Sequence, residues 1–270
     1  MSETDKLFAG SIPENYDRNM VPLIFETYAR DIAQRVAALA PKSVLETAAG
    51  SGVVTRALTP VLAPDASFVV TDLNQPMLDY AKSRQGADSR IRWQQADAQA
   101  LPFEEATFDL VCCQFGVMFL PDRPSGYREA RRVLKPGGCF LFNAWDRIEE
   151  NVFANDVTDA LATFFPNDPP RFMARTPHGY HDLALIRSDL AKAGFKYATI
   201  ETVKAQSRAP SARHVALAYC QGTPLRNEIE ARGPDRLEAA TDHAAALIAA
   251  RHGSGEISAK IQAHIILARI

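Results

Sequence analysis

What is scarce in this chain narrows its chemistry before any motif is read. Charge of one sign is missing: 30 Lys and Arg stand against 32 Asp and Glu in 270 residues, a formal net charge of −2. A nucleic-acid binder needs a basic field, because phosphate contacts dominate its affinity. Here the basic residues are scattered, and even Arg128, Arg131 and Arg132 read as one solvated helix face. DNA and RNA are therefore disfavoured as partners. Cysteine is sparse as well. Cys112, Cys113, Cys139 and Cys220 form no CxxC pair and no zinc-ligand spacing. The first three sit in apolar runs, so inert core thiols in a reducing compartment are expected. No apolar run is long enough for a membrane span. The opening MSETDKLFAGSIPENYD lacks a basic stretch followed by an apolar one, so no secretory signal is expected and the cytoplasm is the expected location. Repeats, low-complexity tracts and charge blocks are absent too.

What is there is a core-forming chain, 47% hydrophobic and 23% charged in both signs. A short apolar run at 44–47 meets a glycine-bearing turn at 48–52, and helical spacing resumes over 53–62. The run at 67–71 reads as a second strand ending at Asp72. Pro76 then opens a helix that continues to about Arg84. Strands are predicted at 91–95 and 108–114, and an amphipathic helix at 125–134 stops at Lys135-Pro136-Gly137-Gly138. A fifth strand follows at 139–144. Strands alternating with helices imply a doubly wound, mostly parallel sheet.

Beyond Asp146 the rhythm breaks. Residues 151–180 are rich in proline and aromatics and read as an insertion. A helix at 183–193, a strand at 195–203, two or three helices within 211–252 and a last strand at 261–270 complete seven strands. The organisation predicted is an N-terminal lid or helical segment at 1–42 and a nucleotide-binding core at 43–150. The rest of the sheet lies in 151–270, with helical cap insertions at 151–180 and 205–257.

The strongest signal is Glu46-Thr47-Ala48-Ala49-Gly50-Ser51-Gly52 between a strand and a helix. Gly50 and Gly52 allow a tight turn and close approach of backbone to a ligand. The helix N-terminus behind them offers free N–H groups. Asp72 ends the second strand, where a carboxylate can accept from ribose hydroxyls. After the third strand, the Asp97 carboxylate could take an adenine amino group while the Ala98 N–H donates to the ring. All three fall at the carboxyl edge of the sheet, where α/β folds bind ligands.

These residues, with Ala98-Gln99-Ala100-Leu101-Pro102-Phe103, Phe108-Asp109 and the run YREARRVLKPGGCFLF from Tyr127, resemble the class I S-adenosylmethionine-dependent methyltransferases of the type 11 group, which includes quinone-biosynthesis C-methyltransferases. The likeness covers residues 43–146. It implies a Rossmann-like α/β fold and S-adenosylmethionine as methyl donor, with S-adenosylhomocysteine as product. It also implies a small-molecule acceptor. By the same resemblance Glu46 anchors the methionine amino end, with Ala48 and Gly50 in close backbone contact. Asp72 holds the ribose, Leu73 and Met77 pack near adenine, and Asp97 and Ala98 read the adenine edge. Gln114 and Phe115 lie beside the transferable methyl. Tyr16 resembles an aromatic that many relatives fold over the methionine end, with an ordinary surface or core tyrosine as an equal alternative.

Competing readings fare worse on the residues. A dinucleotide site would need a third glycine, which Gly50-Ser51-Gly52-Val53-Val54-Thr55 lacks, and it gives Asp97-Ala98 no role. Asp168-Pro169-Pro170 lies far from the strand-four position that an adenine-N6 methyltransferase motif requires. His178 and His181 have the spacing of a ligand pair, but no third ligand accompanies them and no metal is expected. A non-catalytic S-adenosylmethionine-binding or assembly protein remains the alternative of another class. No catalytic residue stands out. The acceptor pocket is expected in the parts that break the rhythm, with Phe119, Trp145, His178 and Tyr180 as candidate lining and Phe172 and Tyr219 as further aromatics.

Overall fold

A computed structural model describes residues 12–270; the leader expectation at the extreme N-terminus lies outside the described residues. Strands apolar at nearly every position, instead of alternately, are those covered on both faces. That is the case for β1 (Ser43–Glu46), β2 (Ser67–Asp72) and β4 (Phe108–Gln114), which are almost wholly buried. β3 (Ile91–Gln95) is half-buried and takes an edge. With β5 (Leu134–Trp145), β6 (Tyr197–Ala209) and β7 (Ile257–Arg269) the sheet has seven strands in the order β3-β2-β1-β4-β5-β7-β6. All neighbours are parallel except β7, which runs antiparallel to both β5 and β6. The expected α/β, doubly wound, mostly parallel seven-stranded architecture is what the chain adopts.

Helices α3 (Val53–Leu58) and α4 (Gln75–Gln85) carry the crossovers from β1 towards β3, while α5 (Arg123–Val133) carries β4 to β5. Right-handed crossovers that run in opposite directions from the sheet's middle place their helices on opposite faces. Strand order therefore reverses between β1 and β4, and a crevice opens above their carboxyl ends. Helix α8 (Leu183–Lys192) packs beside α5, its start capped by Asp182.

The hairpin of β6 and β7 is longer than the strands expected at 195–203 and 261–270. Its ladder pairs thirteen residues from Tyr197↔Arg269 to Ala209↔Ile257. The extension reads as polar in sequence, because Lys204, Gln206 and Arg208 alternate outward, and backbone pairing with β7 makes it a strand.

A leading helix begins as α1 (Ile12–Asn15), widens into a π-helical stretch (Tyr16–Phe25) and continues as α2 (Glu26–Leu39). Pro22 sits inside the π-helical stretch, where its ring and missing N–H disfavour regular α-helical bonding. Side chains tie this segment to both halves of the sheet. The buried Asp17 pairs with Arg56 of α3 at 2.7 Å. At the other end Ser207 donates to the Leu23 carbonyl at 2.8 Å, and the Tyr28 hydroxyl to the Val203 carbonyl at 3.1 Å.

The stretch 151–180 is less irregular than its prolines suggest, since it opens with α6 (Val152–Phe164) and contains α7 (Phe172–Arg175). Pro166, Pro169, Pro170 and Pro177 all fall outside these helices, where a missing N–H does no harm. Asp168 accepts from Arg232 at 3.0 Å, which gives the Asp-Pro-Pro run a bracing role. α9 (Ala212–Gly222), α10 (Leu225–Ala231) and α11 (Arg236–His252) complete the helical part. α11 packs on both α6 and α9, and the buried Asp156 of α6 receives Arg251 and, at 2.6 Å, His252.

Candidate functional site

Three short segments at the carboxyl ends of β1, β2 and β3 build one wall of the crevice. Glu46 ends β1 and is 2% exposed. The turn after it passes through left-handed backbone at Ala48 (φ +52°), Gly50 (φ +57°) and Gly52 (φ +82°). Glycine takes this conformation freely, whereas the alanine is strained by roughly 1–2 kcal/mol. Asp72, the last residue of β2, holds the turn in place. One carboxylate oxygen accepts the Gly50 N–H at 2.8 Å, and the other accepts the Asn74 N–H at 2.7 Å. Asp97, past β3, is exposed and accepts the Gln99 N–H at 2.8 Å, which turns Ala98 towards the crevice.

Burial sets the proton affinities of this wall. The Glu46 carboxyl is pushed up to about 8, chiefly by burial, although the Thr55 hydroxyl donating at 2.7 Å opposes the rise. Asp72 is also raised by burial, against the hydrogen bonds from Asn74 and Gly50.

The opposite wall comes from β4. Phe115 adopts φ +50°, a conformation an aromatic residue rarely takes, and its N–H donates to Asn143 Oδ1 at 2.8 Å. The neighbouring Gly116 is required by space, because a Cβ there would lie 2.5 Å from the Ala48 Cβ and 2.7 Å from Cys113 Sγ. Two strained residues, Ala48 and Phe115, thus face each other across the switch point, as residues held for function often do. The Gln114 side-chain oxygen is buried here without a hydrogen-bond partner among the described residues.

The crevice encloses about 1040 Å³ including its open mouth. Of the residues singled out from sequence, Tyr16, Glu46, Ala48, Gly50, Asp72, Leu73, Met77, Asp97, Ala98, Gln114 and Phe115 line it, and so does Phe119. Leu73 is 45% exposed, an apolar side chain with surface to offer a ligand. Gly52 does not line it. A Cβ on Gly52 would meet the Ala81 Cβ at 2.9 Å, so this glycine serves the packing of α3 on α4.

A second cavity of about 420 Å³ adjoins the first and shares Tyr16, Phe25, Phe115 and Phe119 with it. Its further wall combines Trp145 at the end of β5 with Phe172, Met173 and His178 from 151–180, and with Thr223 and Pro224 from between α9 and α10. Trp145 stacks on Phe115 at 3.8 Å, nearly parallel, and Tyr28 stands edge-on to both rings at 5.4 Å. His178 is buried, its Nδ1 is 2.9 Å from the Asp146 carbonyl oxygen, and burial lowers the imidazole to about 4.

Tyr180 lies elsewhere. It is fully buried, donates to Asp189 at 3.0 Å, receives the Tyr127 hydroxyl at 3.2 Å and carries Arg123 over its ring. It is a core residue joining α5 to α8, as Tyr219 is a core residue of α9. His181 turns its Nδ1 to the His178 carbonyl at 2.8 Å. Phe25 and Asn143 were not anticipated. The signal for Asn143 was present, one amide inside the apolar run Phe140–Trp145; Phe25 carries none, since its place depends on how the leading helix lies.

Comparison with known proteins places this geometry. The profile of the ubiE/COQ5 methyltransferase family matches residues 3–205. The ubiquinone/menaquinone biosynthesis C-methyltransferase UbiE of Hahella chejuensis is 33% identical over 164 residues, 56% of this chain and 66% of that protein. The protein of the same name from Ectopseudomonas mendocina is 28% identical over 168 residues, 58% of this chain and 66% of that one. The match thus spans just under two thirds of these relatives' length. A proposed methyltransferase from Bacillus halodurans superimposes with a TM-score of 0.58 at 19% identity, covering 89% of this chain and 97% of that one, which is a likeness of fold.

Proposed function

Because the chain belongs to the ubiE/COQ5 methyltransferase family, we propose that it transfers the methyl group of S-adenosylmethionine to a small, flat, largely apolar acceptor and releases S-adenosylhomocysteine. The observation that carries this reading is a carboxylate-bearing crevice continuous with an aromatic chamber. Glu46, Asp72 and Asp97 stand at three successive strand ends in the first, and Trp145, Phe172 and Met173 line the second.

The polar groups of the crevice suit each part of the donor. Glu46 is placed to pair with the methionine ammonium, which would draw off the proton that burial now retains. Asp72 spends one lone pair of each oxygen on backbone N–H groups and keeps the others for ribose hydroxyls. Leu73 and Met77 offer apolar surface to the adenine, and Asp97 with the Ala98 N–H offers hydrogen bonds to its edge. The orphaned Gln114 oxygen fits a ligand that brings a donor or a positive charge to the end of β4.

S-adenosylmethionine supplies an activated methyl on a sulfonium, so the protein's task is mainly to align the acceptor and exclude water. Correct alignment in a dry site is worth about 7–11 kcal/mol at its best. Stacked Phe115 and Trp145, Phe25 and Phe172 form a slot suited to a flat ring. The leading helix, the stretch 151–180 and the helices within 212–252 act as the cap that shapes acceptor choice; residues 205–209, expected to belong to it, are instead the end of strand β6, held by pairing with β7. A quinone precursor, the acceptor class that the relatives' names imply, is the favoured candidate, with C-methylation as the favoured outcome. No helix among the described residues is long and apolar enough to cross a membrane, and the buried, unpaired thiols suit the cytoplasm.

Calorimetric titration with S-adenosylmethionine, S-adenosylhomocysteine and NAD tests the site. Both adenosyl ligands should bind with one-to-one stoichiometry and NAD should not. Methyl transfer is then read with radiolabelled donor against hydroquinone acceptors. Binding of NAD alone would overturn the reading.

A further inference from the structure

The acceptor chamber is apolar on nearly every side, and one imidazole interrupts it. His178 lies past α7 with its ring centroid 5.8 Å from that of Trp145. The Asp146 carbonyl oxygen beside Nδ1 can only accept, so in the neutral ring Nδ1 carries the proton and Nε2 keeps a bare lone pair. Nε2 makes no hydrogen bond among the described residues. The neighbouring Thr223 hydroxyl is committed, donating to the Tyr219 carbonyl at 2.7 Å and accepting from the Leu225 N–H at 3.2 Å.

We infer that His178 is the base of the methyl transfer, its Nε2 taking the hydroxyl proton of a phenol or hydroquinone seated against Trp145 and Phe172. The inference rests on the methyltransferase reading above and assigns the step that reading leaves open.

The step balances. As Nε2 takes the hydroxyl proton, the O–H electron pair stays on the acceptor and enriches its oxygen and the ortho ring carbon. The attacking atom bonds to the methyl while the sulfur–methyl bond breaks, and that pair remains on sulfur as a neutral thioether. In O-methylation the imidazolium then gives its proton to solvent. In C-methylation the ring hydrogen leaves as a proton to restore aromaticity, and the imidazolium re-protonates the oxygen. Either way one proton is released per methyl transferred.

The surroundings suit this timing. Burial is the main force holding the ring neutral; His181 adds to it, while the Asp146 carbonyl and the Asp146 and Glu149 carboxylates oppose it. His264 stands beyond Asp146, 3.3 Å from its carboxylate. The base is therefore unprotonated throughout the neutral range. Its weak basicity is compensated as the reaction proceeds, because one buried cation, the sulfonium, vanishes as the imidazolium forms. The step leaves the number of positive charges in the site unchanged.

The test uses the full chain with S-adenosylmethionine and methoxyhydroquinone, comparing wild type with His178→Asn, whose amide can still donate to the Asp146 carbonyl. His178→Gln serves as the second variant should the first fail to fold. Loss of a general base should lower kcat about 100-fold or more, with KM and the S-adenosylmethionine Kd within about threefold of wild type. The variant's residual rate should climb about tenfold per pH unit between roughly pH 7 and 9 as the hydroquinone ionises by itself, while the wild-type rate stays level between about pH 6 and 8. Unchanged kcat, a matching loss of donor affinity, or the same pH profile in both proteins would overturn the assignment. A wild type that binds S-adenosylmethionine but methylates no hydroquinone would overturn the acceptor reading instead, and one that binds no adenosyl ligand would overturn the methyltransferase reading.

Discussion

Glu46→Gln separates what the site needs from what the fold would prefer. In the folded protein the Glu46 carboxyl titrates near 8, because ionising it at 2% exposure forfeits its hydration and Thr55 returns only part of that. In the unfolded chain it titrates near its ordinary 4.5. Between those values the folded state binds the proton more tightly, so stability falls as pH rises through this window. At about 1.4 kcal/mol per pH unit, the penalty is roughly 3 kcal/mol at pH 7 and approaches 5 kcal/mol above pH 8. Glutamine keeps the shape and the contact with Thr55 but carries no charge. The variant should therefore resist urea better than wild type at pH 9, less so at pH 7, and about equally near pH 4.5. Donor affinity should move the other way. Losing a charge-assisted hydrogen bond to the methionine ammonium removes about 1.5–3 kcal/mol, or roughly 10- to 150-fold in Kd. Wild type should also release a proton on binding below pH 8, and its affinity should weaken as pH falls. Calorimetry in two buffers of different ionisation enthalpy reads that release, which Glu46→Gln should abolish. A variant less stable than wild type at pH 9, or one that still releases the proton, would refute the reasoning.

Asp72→Asn should cost about 2–4 kcal/mol of donor affinity, some 30- to 1000-fold by calorimetry. Its fold should survive better than that of Asp72→Ala, because Gly50 and Asn74 donate to different oxygens of this side chain, and asparagine keeps an acceptor for one of these N–H groups whereas alanine leaves both without a partner. Gly116→Ala drives a methyl into Ala48 and Cys113, so denaturation should show a loss of about 1–3 kcal/mol together with weakened donor binding. Tyr180→Phe leaves the buried Asp189 short of a donor and should lower stability by about 1–3 kcal/mol while acceptor kcat/KM stays unchanged, since the ring lies outside both cavities.

The half of the protein that builds the crevice was legible because its signals are local. A short apolar run, two glycines in a turn and an acidic residue at the next strand's end are read from neighbours in the chain. The backbone conformations they require, such as Gly50 at φ +57°, limit which residues can stand there. The expected elements around Glu46, Asp72 and Asp97 accordingly agree with the observed ones to within a few residues. Gly52 shows where that legibility ends, since the same glycine serves equally for ligand approach or for helix packing, and only the 2.9 Å to Ala81 decides.

The half that lines the second cavity depends on contacts between residues far apart in the chain. His178 and Tyr180 are two residues apart and equally plausible as pocket lining in sequence, yet one faces the chamber and the other joins α5 to α8. An aromatic residue satisfies a core and a cavity wall by the same burial of apolar surface, so composition alone does not separate them. Thus the sequence by itself determined the sheet, its ligand edge and the carboxylates along that edge, because periodicity and turn chemistry act over a few residues. Only the tertiary structure decided that the leading helix, residues 172–178 and residues 223–224 meet over Phe115 and Trp145, because that meeting rests on long-range packing and on ties such as Asp17 to Arg56.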